Sequence, residues 1–250
     1  MRVLGIESSS LVASVALVTD DILTAEYTVD FKKTHSQTLL PMLDEIVKLL
    51  ELDMDTIDAI AVAGGPGSFT GLRIGAATAK GLGLALKKPL VHVPTVDAMA
   101  YNMWGAEGLI CPIMDAKRSQ VYTGLYHTGN GLEVVMEQQP MDMRELAGLL
   151  NKKGERAIFL GDGVPVYKDI IREMVTVPYA FAPAQMNRQR AASVAALGMN
   201  ALLDARGCQG VRVVTAAQFT PDYLRKPQAE RQREAEQSAL GAAAKLPGDY

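Results

Sequence analysis

Twice along this chain, three strand-like apolar runs follow one another before the pattern changes to alternating helix and strand. In the first half, alternation and apolar runs predict strands at about 2–9, 11–20 and 21–30. A helix at about 36–51 follows, then a buried strand in "DAIAVAGG" and a glycine-rich helix at about 69–86. The strand "LVHVP" and a helix beginning near Val96 complete this half. In the second half "LICPIMDA", "QVYTGLYHT" and "LEVVMEQQP" read as three strands and "MRELAGLL" as a helix. "AIFLGDG" reads as a buried strand, and "PVYKDIIREM" and "RAASVAALGMNALLDARG" as helices. The second copy stops sooner, and the repeat lies in element order rather than in residue identity.

A doubled unit of this kind points to two related α/β lobes. The order is that of the ribonuclease-H-like duplication of actin, Hsp70 and the sugar kinases, with a reduced second lobe. The expected boundaries are 1–104 for the first lobe, 105–227 for the second and 228–250 for a polar tail. The tail, "AERQREAEQSALGAAAKLPGDY", has few large apolar residues and is expected to be a frayed helix or disordered.

Composition narrows the classes. Of 250 residues, 48% are hydrophobic and 21% charged, the balance of a globular chain able to bury a core. A net charge of -3 without a long Lys/Arg cluster argues against a stand-alone nucleic-acid binder. The two cysteines, Cys111 and Cys208, have neither metal-ligand nor redox spacing, which fits a reducing cytosol. "MRVLGIESSS" lacks the layout of a signal peptide, and no apolar run reaches the ~18 residues of a membrane span. A cytoplasmic protein is expected.

The stretch "AVAGGPGSFTGLRIGAATAKGLGLAL" looks like a phosphate loop and fails as one. No Gly-Lys-Ser/Thr follows at the required spacing, and Thr70 stands where a dinucleotide fingerprint places its third glycine. A strand–loop–helix junction still offers N–H groups to an anion. In the helix itself Gly71, Gly75, Ala79 and Gly83 recur every four residues as a ridge of minimal side chains, with Gly81 beside it. Four interior glycines cost roughly 3–4 kcal/mol of helix stability, so a close backbone approach must offset them. The ridge alone leaves two readings open: tight packing on the helix's own sheet, or docking of another subunit's helix.

The helix at 36–51 favours docking. Leu39, Leu40, Leu43, Ile46, Val47 and Leu50 form a core stripe, and Met42 and Leu49 widen it beyond what one sheet needs. The expected partner surface is therefore Leu39, Met42, Leu43, Ile46 and Leu49 with Gly71, Leu72, Arg73, Gly75, Ala79, Lys80 and Gly83.

Two polar turns are candidates for nucleotide or anion contact. One is Glu7, Ser8, Ser9 and Ser10 in "LGIESSSLVASVAL", a strand–turn–strand of the kind that actin-like ATPases use to hold a phosphate. The other is Asp115, Lys117 and Arg118 in "MDAKRSQVY", which lacks the glycines of a second phosphate loop. A plain serine-rich hairpin turn is the stronger reading of the first, and a solvated turn explains the second equally well. His35, His92 and His127 form no i, i+4 pair and no His-Glu-x-x-His, so no metal site is expected. No nucleophile–base pair or triad follows from spacing, and no catalytic residue is assigned.

Taken in order, "LGIESSSLVASVALV", "KTHSQTLLPMLDEIV", "AVAGGPGSFTGLRIGAATAKGLG", "PIMDAKRSQVY", "GDGVPVY" and "PDYLRKPQAE" resemble the TsaB (YeaZ) family from about residue 2 to 230. The resemblance implies a non-catalytic relative of TsaD, the enzyme that transfers a threonylcarbamoyl group to adenosine in tRNA. TsaD-like enzymes hold a metal through His-Met-Glu-Gly-His after the fifth strand, where this chain has Thr95-Val96-Asp97-Ala98-Met99. The resemblance further implies pairing with a TsaD-like subunit, or with a second copy, through helices 36–51 and 69–86. A TsaE-like ATPase would join the pair, tRNA would be met mainly through the partner, and the metal would sit on that partner. Whether ATP or ADP occupies the shared interface stays open. The rivals are an actin-like ATP phosphotransferase using Glu7, Ser8–Ser10 and Asp115, and a metallopeptidase, which the absence of paired histidines disfavours.

Overall fold

The computed structural model describes residues 1–32, 34–203 and 210–224. Cys208 and the expected tail at 228–250 lie outside the described residues.

Two sheets share one plan. In the first, β1 (Arg2–Glu7), β2 (Val12–Thr19) and β3 (Ile22–Asp30) form an antiparallel meander. Helix α1 (His35–Leu49) leads to β4 (Ala59–Ala63), and α2 (Phe69–Leu86) to β5 (Leu90–Val93). Both crossovers return parallel to the strand they join, β4 beside β1 and β5 beside β4. The second half repeats this after α3 (Thr95–Tyr101): β6 (Leu109–Asp115), β7 (Gln120–His127), β8 (Glu133–Asp142), α4 (Met143–Lys153), β9 (Ala157–Leu160), α5 (Gly163–Met174) and β10 (Tyr179–Phe181). The second sheet runs β10-β9-β6-β7-β8 and the first β5-β4-β1-β2-β3. The identical order establishes the duplicated ribonuclease-H-like fold expected from the element pattern.

The chain then departs from the expected boundaries. Helix α6 (Ala191–Leu203) returns to pack on β1, β2 and β4, and β11 (Arg212–Val214) pairs antiparallel with β5. Residues 191–203 and 212–214 therefore belong spatially with the first sheet rather than with a lobe spanning 105–227. Helix α3 makes the reciprocal move and packs against β6 and β7 of the second sheet.

Each sheet is thus covered on both faces. Helices α1 and α2 cover the outer face of the first sheet through Leu39, Met42, Ile46 and Ala79, and α6 covers the inner face through Val194, Ala195 and Leu197. Helices α4 and α5 cover the second sheet outside, and α3 covers it inside through Val96, Met99 and Ala100. This explains why β4 and β9 read as continuous apolar runs: both faces of a central parallel strand are dry. The edge strand β3 instead carries exposed Ile22, Leu23 and Tyr27. Three charged and polar links fasten the start of α6, and the segment just before it, to β2 and β3. Arg188 pairs with Asp30 at 3.0 Å, Arg190 pairs with Glu26, and the Ala191 N–H donates to Ser14 Oγ at 3.0 Å.

Candidate functional site

The glycine loop between β4 and α2 is a packing device. Gly65 has φ +115°, and a Cβ there would lie 2.3 Å from the carbonyl oxygen of Asp222. Only glycine fits such a conformation and such an approach. The chain after β11 is what presses on this loop: the Asp222 N–H donates to the Gly64 carbonyl at 2.7 Å. Beneath it His92 is buried against Phe219, with its Nε2 3.2 Å from Asp222 Oδ2 but without hydrogen-bond geometry. Burial holds the His92 imidazole below its ordinary pKa, against the pull of the Asp222 charge.

The ridge on α2 faces inward, which corrects the expected partner surface. A Cβ on Gly71 would meet the Ser8 carbonyl oxygen at 2.1 Å, one on Gly75 would meet Ser8 Oγ at 2.3 Å, and one on Gly83 would meet Leu90 Cδ2 at 2.9 Å. Ala79 and Leu72 are buried beside them, as are Leu39, Met42, Leu43 and Ile46 on α1. These residues hold the helices to their own sheet. Of the expected set, Leu49 and Arg73 are exposed and Lys80 is half-buried. The outward face of α2 is instead Thr70, Arg73, Ala77, Gly81 and Leu84. Gly81 has open space where its Cβ would be. With Leu84 at 68% exposure, Leu49 at 80% and Leu40 at 53%, the two outer helix faces carry bare leucines. Arg73 stacks over Phe69, which packs on Tyr223 at 4.8 Å between ring centroids.

The serine turn after β1 is buried and largely satisfied from within. Ser8 Oγ donates to the Gly71 carbonyl at 2.9 Å, and Ser10 Oγ accepts the Val12 N–H at 3.1 Å. Both hydroxyls are engaged by backbone of the chain itself, which suits the plain-turn reading of this stretch. Glu7 is 1% exposed and accepts the Ser9 N–H at 2.6 Å. Burial raises its pKa to about 7, against the hydrogen bonds from Ser9, and the charge of Asp162 adds to the rise. Asp162 stands at the β9–α5 junction, caps no N–H with its side chain, and is also raised by burial.

The second turn places Lys117, Arg118 and Ser119 at φ 64°, 58° and 60°, three successive left-handed residues without a glycine. Lys117 is paired with Asp115, and the Tyr167 hydroxyl donates to Asp115 Oδ1 at 3.0 Å. Burial raises the Asp115 carboxyl, but the hydrogen bonds from Lys117 and Tyr167 outweigh it and hold the group below its ordinary value. Arg118 is exposed. Asp162, an acid that sequence reasoning missed, feels the charge of Asp115 and in turn acts on Glu7. Asp162 had a signal: "GDG" occupies the strand-to-helix junction equivalent to "GGPG".

Opposite this, α3 closes another part of the junction. Thr95 Oγ1 accepts the Gly65 N–H at 3.2 Å, and Met99 is buried in the core beneath α3. Asp97 is 5% exposed, accepts the Tyr126 hydroxyl at 2.7 Å, and is raised by burial to about 7. Gln138 of β8 bridges the lobes: its Oε1 accepts the Val96 N–H at 3.2 Å and its Nε2 donates to the Gly65 carbonyl at 3.1 Å. Among the described residues no three His, Cys, Asp or Glu side chains are grouped to hold a metal, and no helix is long and apolar enough to cross a membrane.

Comparisons with known proteins agree with this architecture. A family model described as TsaD, tRNA N6-adenosine threonylcarbamoyltransferase, matches residues 29–233. The tRNA threonylcarbamoyladenosine biosynthesis protein TsaB of Bacillus subtilis is 33% identical over 92% of this chain and 96% of its own length. The structure of YeaZ from Pseudomonas aeruginosa superposes with a TM-score of 0.74 at 25% identity, covering 89% of this chain and 99% of that one. A more distant likeness, TM-score 0.51 at 10% identity over 82% of this chain and 97% of the other, is to the activator of 2-hydroxyisocaproyl-CoA dehydratase from Clostridium difficile with bound ADPNP. It shows a shared fold alone.

Proposed function

Because this chain belongs to the TsaB family of tRNA threonylcarbamoyladenosine biosynthesis proteins, we propose that it is a non-catalytic scaffold and activating subunit. It binds a TsaD-like threonylcarbamoyl transferase, and a TsaE-like ATPase joins the pair. The product is threonylcarbamoyladenosine next to the anticodon of tRNAs that read codons beginning with A. The chain brings no metal or cofactor of its own; the metal sits on the TsaD-like subunit, which also carries most of the contact with tRNA. In isolation the chain pairs with a second copy.

One observation carries this reading: Leu40, Leu49 and Leu84 stand exposed on the outer faces of two adjacent helices. Bare apolar surface on neighbouring helices is what a helical interface uses. Supporting it, the positions where a TsaD-like enzyme carries its metal-binding histidines hold Thr95, bonded to Gly65, and buried Met99. A thioether and a neutral hydroxyl are poor ligands for a hard cation.

The test is light scattering after size exclusion, on the protein alone and mixed with the TsaD-like protein of the same genome. A stable mixed complex that supports tRNA modification is expected. No complex, with or without nucleotide and the TsaE-like ATPase, overturns the reading. Low-micromolar Mg-ATP binding by the isolated chain in calorimetry would favour the phosphotransferase instead.

A further inference from the structure

The first sheet ends on an edge that its own chain leaves open. Of the four outermost strands, β10 and β11 are three residues long and β8 carries Pro140. Shortness and proline both keep an edge from pairing with another chain. β3 has nine residues and no proline, and among the described residues it pairs with β2 alone. Its acids do not screen the edge, because Glu26 and Asp30 are drawn to Arg190 and Arg188 just before α6. One irregularity interrupts it: Leu17 meets Ala25 and Val18 meets Leu23, so Thr24 is passed over. The regular part of the edge is therefore 25–30.

Four large apolar side chains stand exposed along it: Ile22, Leu23, Tyr27 and Phe31. Beside them, between β3 and α1, runs a groove of about 350 Å³ lined by Tyr27, Val29, Phe31, Pro41 and Met42. An open row of backbone groups next to an apolar groove suits an added strand. The charges say which strand. The segment starts on exposed Asp20 and Asp21 and ends on exposed Lys32. A second copy running antiparallel brings the acidic start of each chain to the basic end of the other. Side chains then choose the register. Centred on Tyr27, the pairing sets Tyr27 against itself, Ala25 against Val29 and Glu26 against Thr28, and brings Ile22 and Leu23 of one copy beside Phe31 and Lys32 of the other. Centred on Glu26 it opposes two carboxylates, and centred on Thr28 it sets Glu26 against Asp30. Centred on Val29 it leaves Ile22 and Leu23 bare.

We propose that two copies of this chain join by antiparallel pairing of β3 with β3, with Tyr27 at the twofold axis, so that two six-stranded sheets become one. This gives a surface to the self-pairing proposed above and rests on that part of the reading alone. One isologous contact covers all four exposed apolar side chains of the segment. Helix α2 packs over β1, β4 and β5, away from this edge, so its outward face stays open to a TsaD-like subunit.

Sedimentation velocity of the full chain over a wide concentration range should show a reversible monomer–dimer equilibrium. Ile22→Lys, which sets a second positive charge beside Lys32, and Phe31→Glu should each weaken the dimer at least tenfold. Both positions are more than half exposed, so the urea midpoint should stay at the wild-type value. Register is read by cross-linking in a Cys208→Ser background, where Cys111 is buried. A short bis-maleimide should join Tyr27→Cys to itself in high yield, and should not join Val29→Cys or Leu84→Cys. Phe31→Glu should still form the mixed complex with the TsaD-like protein, so loss of self-pairing and loss of the partner are read separately. A chain that stays monomeric at every concentration would overturn the proposal even if the mixed complex forms. So would a dimer equally tight in both variants, or cross-linking at 29 or 84 instead of 27. A Phe31→Glu variant that loses the partner but still pairs with itself would give this edge to the partner and overturn it equally.

Discussion

Ser8 and Gly71 are locked to each other twice. The Ser8 hydroxyl donates to the Gly71 carbonyl at 2.9 Å, and the Ser8 carbonyl oxygen lies 2.1 Å from where a Cβ on Gly71 would sit. The start of α2 is thereby sealed onto the turn after β1. Gly71→Ala should destabilise the isolated chain by about 1–3 kcal/mol, because a backbone oxygen must move. Gly81→Ala, in open space, should instead stabilise it by up to about 1 kcal/mol through helix propensity. Urea midpoints of the two variants check this, and equal effects would contradict the inward-facing ridge.

A second prediction concerns pH. Asp97 is raised from 3.8 to about 7, first by burial, so the folded chain holds its proton where the unfolded chain has lost it. Its contribution is fully present below about pH 4 and is lost as pH rises through about 7, at up to about 1.4 kcal/mol per unit. Buried His92 acts oppositely: its depressed pKa makes stability fall as pH drops below the ordinary imidazole range. The informative quantity is therefore the difference between wild type and Asp97→Asn, which keeps an acceptor for Tyr126. In urea unfolding at pH 5 and pH 8, the variant should gain stability relative to wild type at the higher pH. A constant difference would show that Asp97 does not titrate in that window.

Cys111 offers a simple probe of the second core. Its thiol is buried beside Thr123, 3.8 Å from Oγ1, and burial pushes its pKa up to about 12. In a Cys208→Ser background the native protein should react negligibly with a thiol reagent at pH 8, and one thiol should appear on unfolding. Rapid native labelling would mean that the β6–β9 core opens far more readily than its packing implies.

The duplicated element order was legible because each principal strand or helix is long enough to carry its own period. The strands β10 and β11, three residues each, carry none. The destination of α6 was hidden for another reason: a helix that is apolar all round reveals burial but not which sheet provides it. Spacing likewise showed that Gly71, Gly75, Ala79 and Gly83 share a face, but periodicity says nothing of what that face meets. The excess apolar width of α1 was real at Leu49, whereas Met42 lies in the core and Leu40, read as part of the core stripe, is exposed. At the lobe junction Glu7 was visible as an acid in a serine turn. Gln189 and Asp222 lie in irregular segments whose partners are distant in sequence, so no local pattern announces them.

The last prediction separates the folded chain from its assembly. A charge at Gly75 would strike Ser8 Oγ and damage the monomer, so losing a complex in that variant would prove nothing about docking. Gly81 and Leu84 lie on the outward face of α2, one with open space beyond it and the other 68% exposed. Gly81→Glu and Leu84→Glu should leave the urea midpoint of the isolated chain within about 0.5 kcal/mol of wild type or above it, as surface changes do. Both should weaken pairing with a TsaD-like partner, since a carboxylate would be desolvated at a helical interface. Leu84→Ala should weaken it less, because it removes contact without adding a charge. If both glutamate variants still co-elute with the partner at wild-type affinity, docking does not use the outer face of α2, and the exposed edge of β3 becomes the surface to test.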